Sequence, residues 1–370
     1  MYKPNRRECL QSVVAAMAAT AVPGVAGVAP KPQANSEAGK IKVCLIWGVR
    51  NPHMLKLQKQ IGVTHAIAGV PLRNVPRSGY LDAVAKVKKE YDDAGITIAG
   101  IESHPVGVEN IKLGLPGRDE ELENYVAALK ALGEMGIPMV CYDFCAGIGW
   151  YRTNYDFPWR GECSSLSFNL EDSVKQGPTK WGHITADQMW SNIEYFQKAV
   201  IPAAEKANVQ MALHPDDPPV PELRGIARIA ISAANYRRIL NIVPSRVNGV
   251  TLELSVFTLM GEDINALAAE WAKQKKIFFI HARNIRGDKN NFNETFQDDG
   301  QIDYGRVFQT LHDNGWHGPL RPDHDPILEG DQELSKDFGF GIHPGYAILG
   351  KICGVQYIKG ILNSRHIPNV

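Results

Sequence analysis

The chain is 370 residues long and 44% hydrophobic, enough to bury a large core as one α/β barrel or as two smaller domains. Lys and Arg together number 40, as do Asp and Glu, so the formal net charge is zero. Nucleic acid or an anionic membrane surface would call for a basic excess, so the expected partner is a small molecule recognised locally, with no nucleic acid involved.

In chain order, Arg6 and Arg7 open the run RRECLQSVVAAMAATAVPGVAGVAP, which carries no charge between Glu8 and Lys31. A basic start, an apolar stretch from about Val13 to Val22 and small residues at Ala21, Ala26 and Ala29 predict a cleaved export signal over 1–29. The paired arginines followed by Leu10 suggest the twin-arginine route, and so a periplasmic or secreted protein. The apolar stretch is too short and too rich in Ala and Gly for stable membrane insertion. Residues 30–40 (PKPQANSEAGK) are a linker, and 41–370 form a single barrel domain. Cys44, Cys141, Cys145, Cys163 and Cys353 are too few and too scattered for a disulfide framework.

Short apolar runs at 41–47, 64–70, 96–102, 138–144, 209–214, 249–254, 277–283 and 318–322 predict strands buried on both faces. Amphipathic stretches at 78–94, 118–135, 186–207, 262–274 and 303–314 predict helices between them; the last starts at Asp303 and stops near Asn314-Gly315. The alternation predicts a (β/α)₈ TIM barrel. The other candidate, an open doubly wound sheet, more often carries a Gly-rich phosphate loop after its first strand, and GVRNPH is not one. Three segments exceed ordinary βα loops: 145–183, dense in Trp, Tyr and Arg, then 284–301 and 324–344. They predict a deep, partly covered pocket on the C-terminal face of the barrel.

Four strand ends carry a residue able to bind a metal: His214 in VQMALHPDDPP, Glu253 in GVTLEL, His281 in IFFIHARN and Asp323 in GPLRPDH. Singly, each is better explained as a structural residue. Together they fall on strands five to eight, whose C-terminal ends share one face of a barrel. Two imidazoles and two carboxylates make a mixed N/O site for Mn²⁺, Fe²⁺, Co²⁺ or Zn²⁺. Arg283 and Asn284 follow His281, and Trp150 with Arg152 offers a flat wall and a cation, groups that suit a sugar acid. Asp216 and Asp217 either orient His214 or shape a turn. A metal that holds a carboxylate and its α-hydroxyl acidifies the neighbouring C–H, and elimination of the next hydroxyl needs an acid and a base, for which His324 and Tyr346 are the candidates.

IESHPVGVENIKLGLPGRDEELENY, PMVCYDF, WYRT, ALHPDDPP, HARNIRG, NETFQDDGQID, RPDH and PGY resemble segments of the mannonate dehydratases, in that family's order. The resemblance runs from about residue 95 to 362. It implies a xylose-isomerase-like barrel, usually Mn²⁺-dependent, that dehydrates D-mannonate to 2-keto-3-deoxy-D-gluconate. A homo-oligomer is the expected assembly. The chain departs from the family at several places. Glu253 stands where the family has cysteine, and Ala282 replaces an aromatic residue. AIAGVPLRN lacks the family's paired histidines, and GYAILGKI loses a tyrosine and an arginine. The 324–344 segment is longer, and family members ordinarily work in the cytoplasm. These differences describe a divergent, exported member with an altered substrate. Two alternatives stand beside it: a metal-dependent sugar isomerase or epimerase on the same barrel, and an exported sugar-binding protein without turnover.

Overall fold

Eight parallel strands close into a barrel, β1 (Lys42–Leu45), β2 (His65–Ala68), β3 (Thr97–Glu102), β4 (Met139–Tyr142), β5 (Gln210–Leu213), β6 (Asn248–Glu253), β7 (Ile277–Ala282) and β8 (Pro319–Pro322). This computed structural model describes residues 37–370; the expected export signal and most of the linker lie outside the described residues. Each strand pairs with its neighbours in sequence, and β1 pairs with both β2 and β8. All six residues of β7 are buried, as are all six of β6. Continuous Val, Ile, Leu and Phe runs are stable only when side chains fill the barrel on one face and helices cover the other.

A helix follows each strand: α1 (Pro52–Gln60), α2 (Tyr80–Asp93), α3 (Arg118–Glu134), α4 (Ala186–Ala207), α5 (Ala233–Leu240), α6 (Ile264–Lys273), α7 (Tyr304–Asp313) and α8 (Ile348–Ser364). Their starts are written locally. Thr185 and Gln188 close a reciprocal capping box at α4, and Asp303 caps α7 through the Arg306 N–H. Inside the barrel, Cys44, Ile67, Met139, Cys141, Ala212, Phe278 and Phe279 form an apolar plug contributed by five strands. Burial pushes the Cys44 thiol up to about 12 and raises the Cys141 thiol well above its ordinary value, as expected of inert core residues. No described helix is long and apolar enough to cross a membrane.

The segments 145–183 and 284–301, expected as long loops, are in part a second sheet. Four antiparallel strands run in the order 284–288, 291–295, 164–169 and 154–158. Phe292 is the register partner of Phe168, and both are buried with Ile285, Val220 and Leu223. Gly287 permits the tight hairpin, with φ at +119° and a position where a Cβ would lie 2.2 Å from the Asn291 carbonyl oxygen. The third long segment, 324–344, contains a short helix over Asp331–Phe338.

Candidate active site

A cavity of about 130 Å³ opens at the C-terminal ends of the strands, among Glu102, Asp143, Trp150, His214, Asp217, Arg283, Arg321, Asp323, His324 and Tyr346. Barrel registry brings these together. Glu253 is the neighbour of His281 across β6 and β7, and His281 is the neighbour of Arg321 across β7 and β8. Residues two apart on a strand face the same side, so Arg283 and Asp323 extend the same rows upward.

His214 has its Nδ1 2.8 Å from the Pro215 carbonyl oxygen. A carbonyl only accepts, so Nδ1 carries the hydrogen and Nε2 keeps a lone pair. The His281 ring lies 4.9 Å from that of His214, and both of its nitrogens are buried without a hydrogen-bond partner. Asp323 stands 3.7 Å from its Nδ1 and Glu102 3.5 Å from its Nε2. Burial, with Arg321 adding, pushes the His281 imidazole down to about 4, so it is neutral. Unpartnered buried ring nitrogens mark a side chain whose partner is a ligand.

Glu253 stands at the expected strand end but does not line the cavity. Its carboxylate turns downstream to cap the short helix over Leu254–Leu259, accepting from the Val256 N–H and from the Ser255 hydroxyl at 2.9 Å. Burial raises it to about 7; Arg283 opposes this and Asp323 adds to it. As the side chains lie, no group of three His, Cys, Asp or Glu among the described residues forms a metal cage. The donor chemistry nevertheless fits a divalent cation at His214, His281 and Asp323. Five carboxylates (Glu102, Asp217, Glu253, Glu294 and Asp323) meet three guanidiniums (Arg152, Arg283 and Arg321) through close ion pairs, an excess of two negative charges when all are ionised. Glu253 would have to give up its capping role to join as a fourth donor.

His324 and Tyr346 lie side by side, with His324 Nε2 3.1 Å from the Tyr346 hydroxyl. On the other side of the ring, Nδ1 is 2.9 Å from a carboxylate oxygen of Glu294. Arg283 Nη1 is 3.0 Å from the same nitrogen, but the ionised carboxylate is the stronger partner, so we assign the hydrogen to Nδ1. Burial alone would raise the Glu294 carboxyl, yet His324, Arg152 and Arg283 hold it below its ordinary value. The Tyr346 hydroxyl is raised by burial and by Asp323. His324 holds φ +23°, and Gly345 lies against its ring where a Cβ would sit 3.1 Å from Cγ. Strained backbone of this kind persists where its surroundings hold it in place.

The four residues expected to bind substrate separate on this geometry. Trp150 is 38% exposed and its ring lies 4.6 Å from that of His324, so it forms a wall of the cavity. Arg283 lines the cavity but is held by Asp217 at 2.8 Å, Ser255 at 2.7 Å and Glu294 at 3.3 Å. Arg152 is corrected to a supporting role. It is buried outside the cavity, with both outer nitrogens 2.8 Å from Asp217, and further bonded to Glu294. Asn284 is likewise a brace: its amide donates to the Gln297 and Ile302 carbonyls and its oxygen accepts from the Ile285 and Ile302 N–H groups. With all of its polar capacity used, it has none for a ligand. Asp216 accepts from the Ile229 and Ala230 N–H groups, so it ties the segment after β5 to the one before α5 and makes no bond to His214.

Glu294, Glu102 and Arg321 escaped the sequence reading. Glu294 lay within the segment NETFQDDGQID, whose resemblance to the family was the only available signal. Arg321 forms a paired bond to Glu102 at 2.8 and 2.6 Å and reaches Asp323 at 2.7 Å, so it sets the carboxylates of β3 and β8 in place.

Comparison with known proteins finds relatives over most of the chain. The D-mannonate dehydratase (UxuA) family model matches residues 41–176 and 169–367. The mannonate dehydratase of Streptococcus equi subsp. zooepidemicus is 32% identical over 353 residues, covering 87% of this chain and 93% of that protein. The crystal structure of mannonate dehydratase from Streptococcus suis serotype 2 superposes with a TM-score of 0.79 at 32% identity, covering 89% of this chain and 97% of that one. A xylose isomerase domain protein from Planctomyces limnophilus shares the barrel alone, with a TM-score of 0.53 at 13% identity, covering 88% of this chain and 98% of that one. This chain belongs to the mannonate dehydratase family of hydro-lyases, built on a xylose-isomerase-like (β/α)₈ barrel.

Proposed function

We propose that the chain removes water from an aldonate such as D-mannonate to give a 2-keto-3-deoxy acid. The line Glu294–His324–Tyr346 beside His214, His281 and Asp323 is the observation that supports this reading. Dehydration removes a proton from C2 and hydroxide from C3, and the enol left behind tautomerises to the 2-keto acid. His324 Nε2 takes the C2 proton, because its Nδ1–H is held by Glu294, which also stabilises the imidazolium that forms. The Tyr346 hydroxyl, kept protonated by burial, protonates the departing C3 hydroxyl. The proton then passes from His324 to Tyr346 across 3.1 Å, which restores both groups. Trp150 covers the cavity and limits water.

His214, His281 and Asp323 would hold a divalent metal, Mn²⁺ first among Mn²⁺, Fe²⁺, Co²⁺ and Zn²⁺, whose chemistry is to acidify the C2–H by binding the substrate carboxylate and α-hydroxyl. Export through the signal at 1–29 and a homo-oligomeric assembly belong to the same proposal. Cell fractionation and light scattering test them.

The deciding assay takes protein stripped with chelator and reloaded with Mn²⁺, supplies D-mannonate and measures 2-keto-3-deoxy acid. Metal-dependent product is expected. Protein that holds metal yet forms no keto-deoxy acid would overturn the reading, and a ketose or an epimer in its place would favour the isomerase alternative.

A further inference from the structure

A second cleft, of about 480 Å³, adjoins the inner cavity and shares Trp150 and Tyr346 with it. Three separate loops build it: Ile46 and Trp47 after β1, Trp150 and Tyr155 from the 145–183 excursion, and the run Phe340 to Tyr346 after β8. Trp150 and Tyr155 are among the few large apolar side chains of the described residues left exposed, at 38% and 40%. Trp47 is 2% exposed and lines the cleft, and no acceptor among the described residues meets its indole N–H. The one cation in its wall, Lys351, is ion-paired to buried Asp325. Aromatic faces edged with unfilled hydrogen-bond donors suit a sugar ring, whose face is apolar and whose rim carries hydroxyls.

The chemistry fixes which end of a substrate enters which chamber. Dehydration places C1, C2 and C3 against His324 and Tyr346, so C4 to C6 trail towards Trp150 and the outer cleft. The inner cavity, at about 130 Å³, is smaller than ordinary small-molecule sites of about 300–1,000 Å³, whereas the outer one, at about 480 Å³, falls within that range. We propose that the outer cleft is a subsite for a second sugar ring, and that the preferred substrate is a glycosylated aldonate substituted on its C4–C6 side. This rests on the dehydratase reading above.

The test compares D-mannonate with mannobionate, the C1-oxidised acid of β-1,4-mannobiose, on the full Mn²⁺-loaded chain. The expected result is a kcat/KM at least about tenfold higher for mannobionate, worth about 1.4 kcal/mol. Phe340→Ala is expected to remove that advantage, lowering kcat/KM at least about tenfold more for mannobionate than for mannonate, and Phe340→Trp to retain it. Saturation-transfer NMR with mannobionate reads the subsite without turnover: the distal ring receives saturation from the native chain and from Phe340→Trp, and loses it in Phe340→Ala. Distal-ring contact without turnover of either acid would overturn the dehydratase reading and leave the subsite standing. Equal kcat/KM for the two acids, or no saturation of the distal ring, would overturn the subsite. So would a dimer that Phe340→Ala dissociates, because a second copy would then fill the cleft.

Discussion

The two ends of the barrel interior serve opposite purposes. Below, Cys44, Ile67, Met139, Cys141, Ala212 and Phe279 form a dry plug. Above, at the C-terminal ends of β3, β6, β7 and β8, stand Glu102, Glu253, His281, Arg321 and Asp323, nearly all of them buried as well. The apolar end gains stability from removal of surface from water. The charged end costs desolvation, recovered only in part by pairs such as Arg321 with Glu102 and Arg152 with Asp217. Phe279 touches both, with its ring 4.6 Å from that of His281. A barrel can hold this charge because close packing and hydrogen-bonded strands beneath it keep the groups from relaxing apart.

Substitutions at the two ends should therefore separate activity from stability. The largest effect is expected from His324→Gln and Tyr346→Phe, each lowering kcat by about 10²–10⁴-fold with little change in the unfolding midpoint; steady-state kinetics beside urea denaturation measures both. An equal loss from each variant in stability alone would place them with the floor. Met139→Ala should do the reverse, costing about 2–5 kcal/mol of stability while the folded fraction keeps its kcat, as read by denaturant titration.

At the rim, pH sharpens the contrast. Burial, with Lys112 adding, pushes the His104 imidazole down to about 3, so the folded chain keeps it neutral. The unfolded chain binds that proton below its ordinary value of 6.5, so this contribution is complete above 6.5 and is lost as pH falls towards 3. Stability should drop by about 2–3 kcal/mol between pH 7 and 4.5 from this group, and His104→Gln should flatten that slope. The smallest effect is expected from Asn284→Ala, which leaves the bonded groups of the 297–302 loop unpaired and costs about 1–3 kcal/mol. Because Asn284 lies outside the cavity, KM should stay unchanged; a rise in KM at constant stability would return it to the substrate.

Much of the floor and half of the rim were legible in the residues. Eight apolar runs located eight strands, because burial on both faces writes itself into consecutive positions. Strand ends then located His214, His281 and Asp323, since parallel order alone sends those ends to one face. Glu253 shows the limit of that rule. A strand end fixes where a side chain starts, and the next helix turn decided where its carboxylate went, to Val256 and Ser255.

What the sequence by itself determined is the barrel, its strand order and the face on which chemistry gathers, because local periodicity and capping encode each of these within a few residues. Tertiary structure alone decided that 154–169 and 284–295 join in a second sheet, that Glu294 from that sheet orients His324, and that Arg152 and Asn284 brace the site from outside the cavity. Those pairings join segments as far apart as Arg152 and Glu294, and no pattern within either segment records which distant partner will neutralise a buried charge or saturate a buried amide.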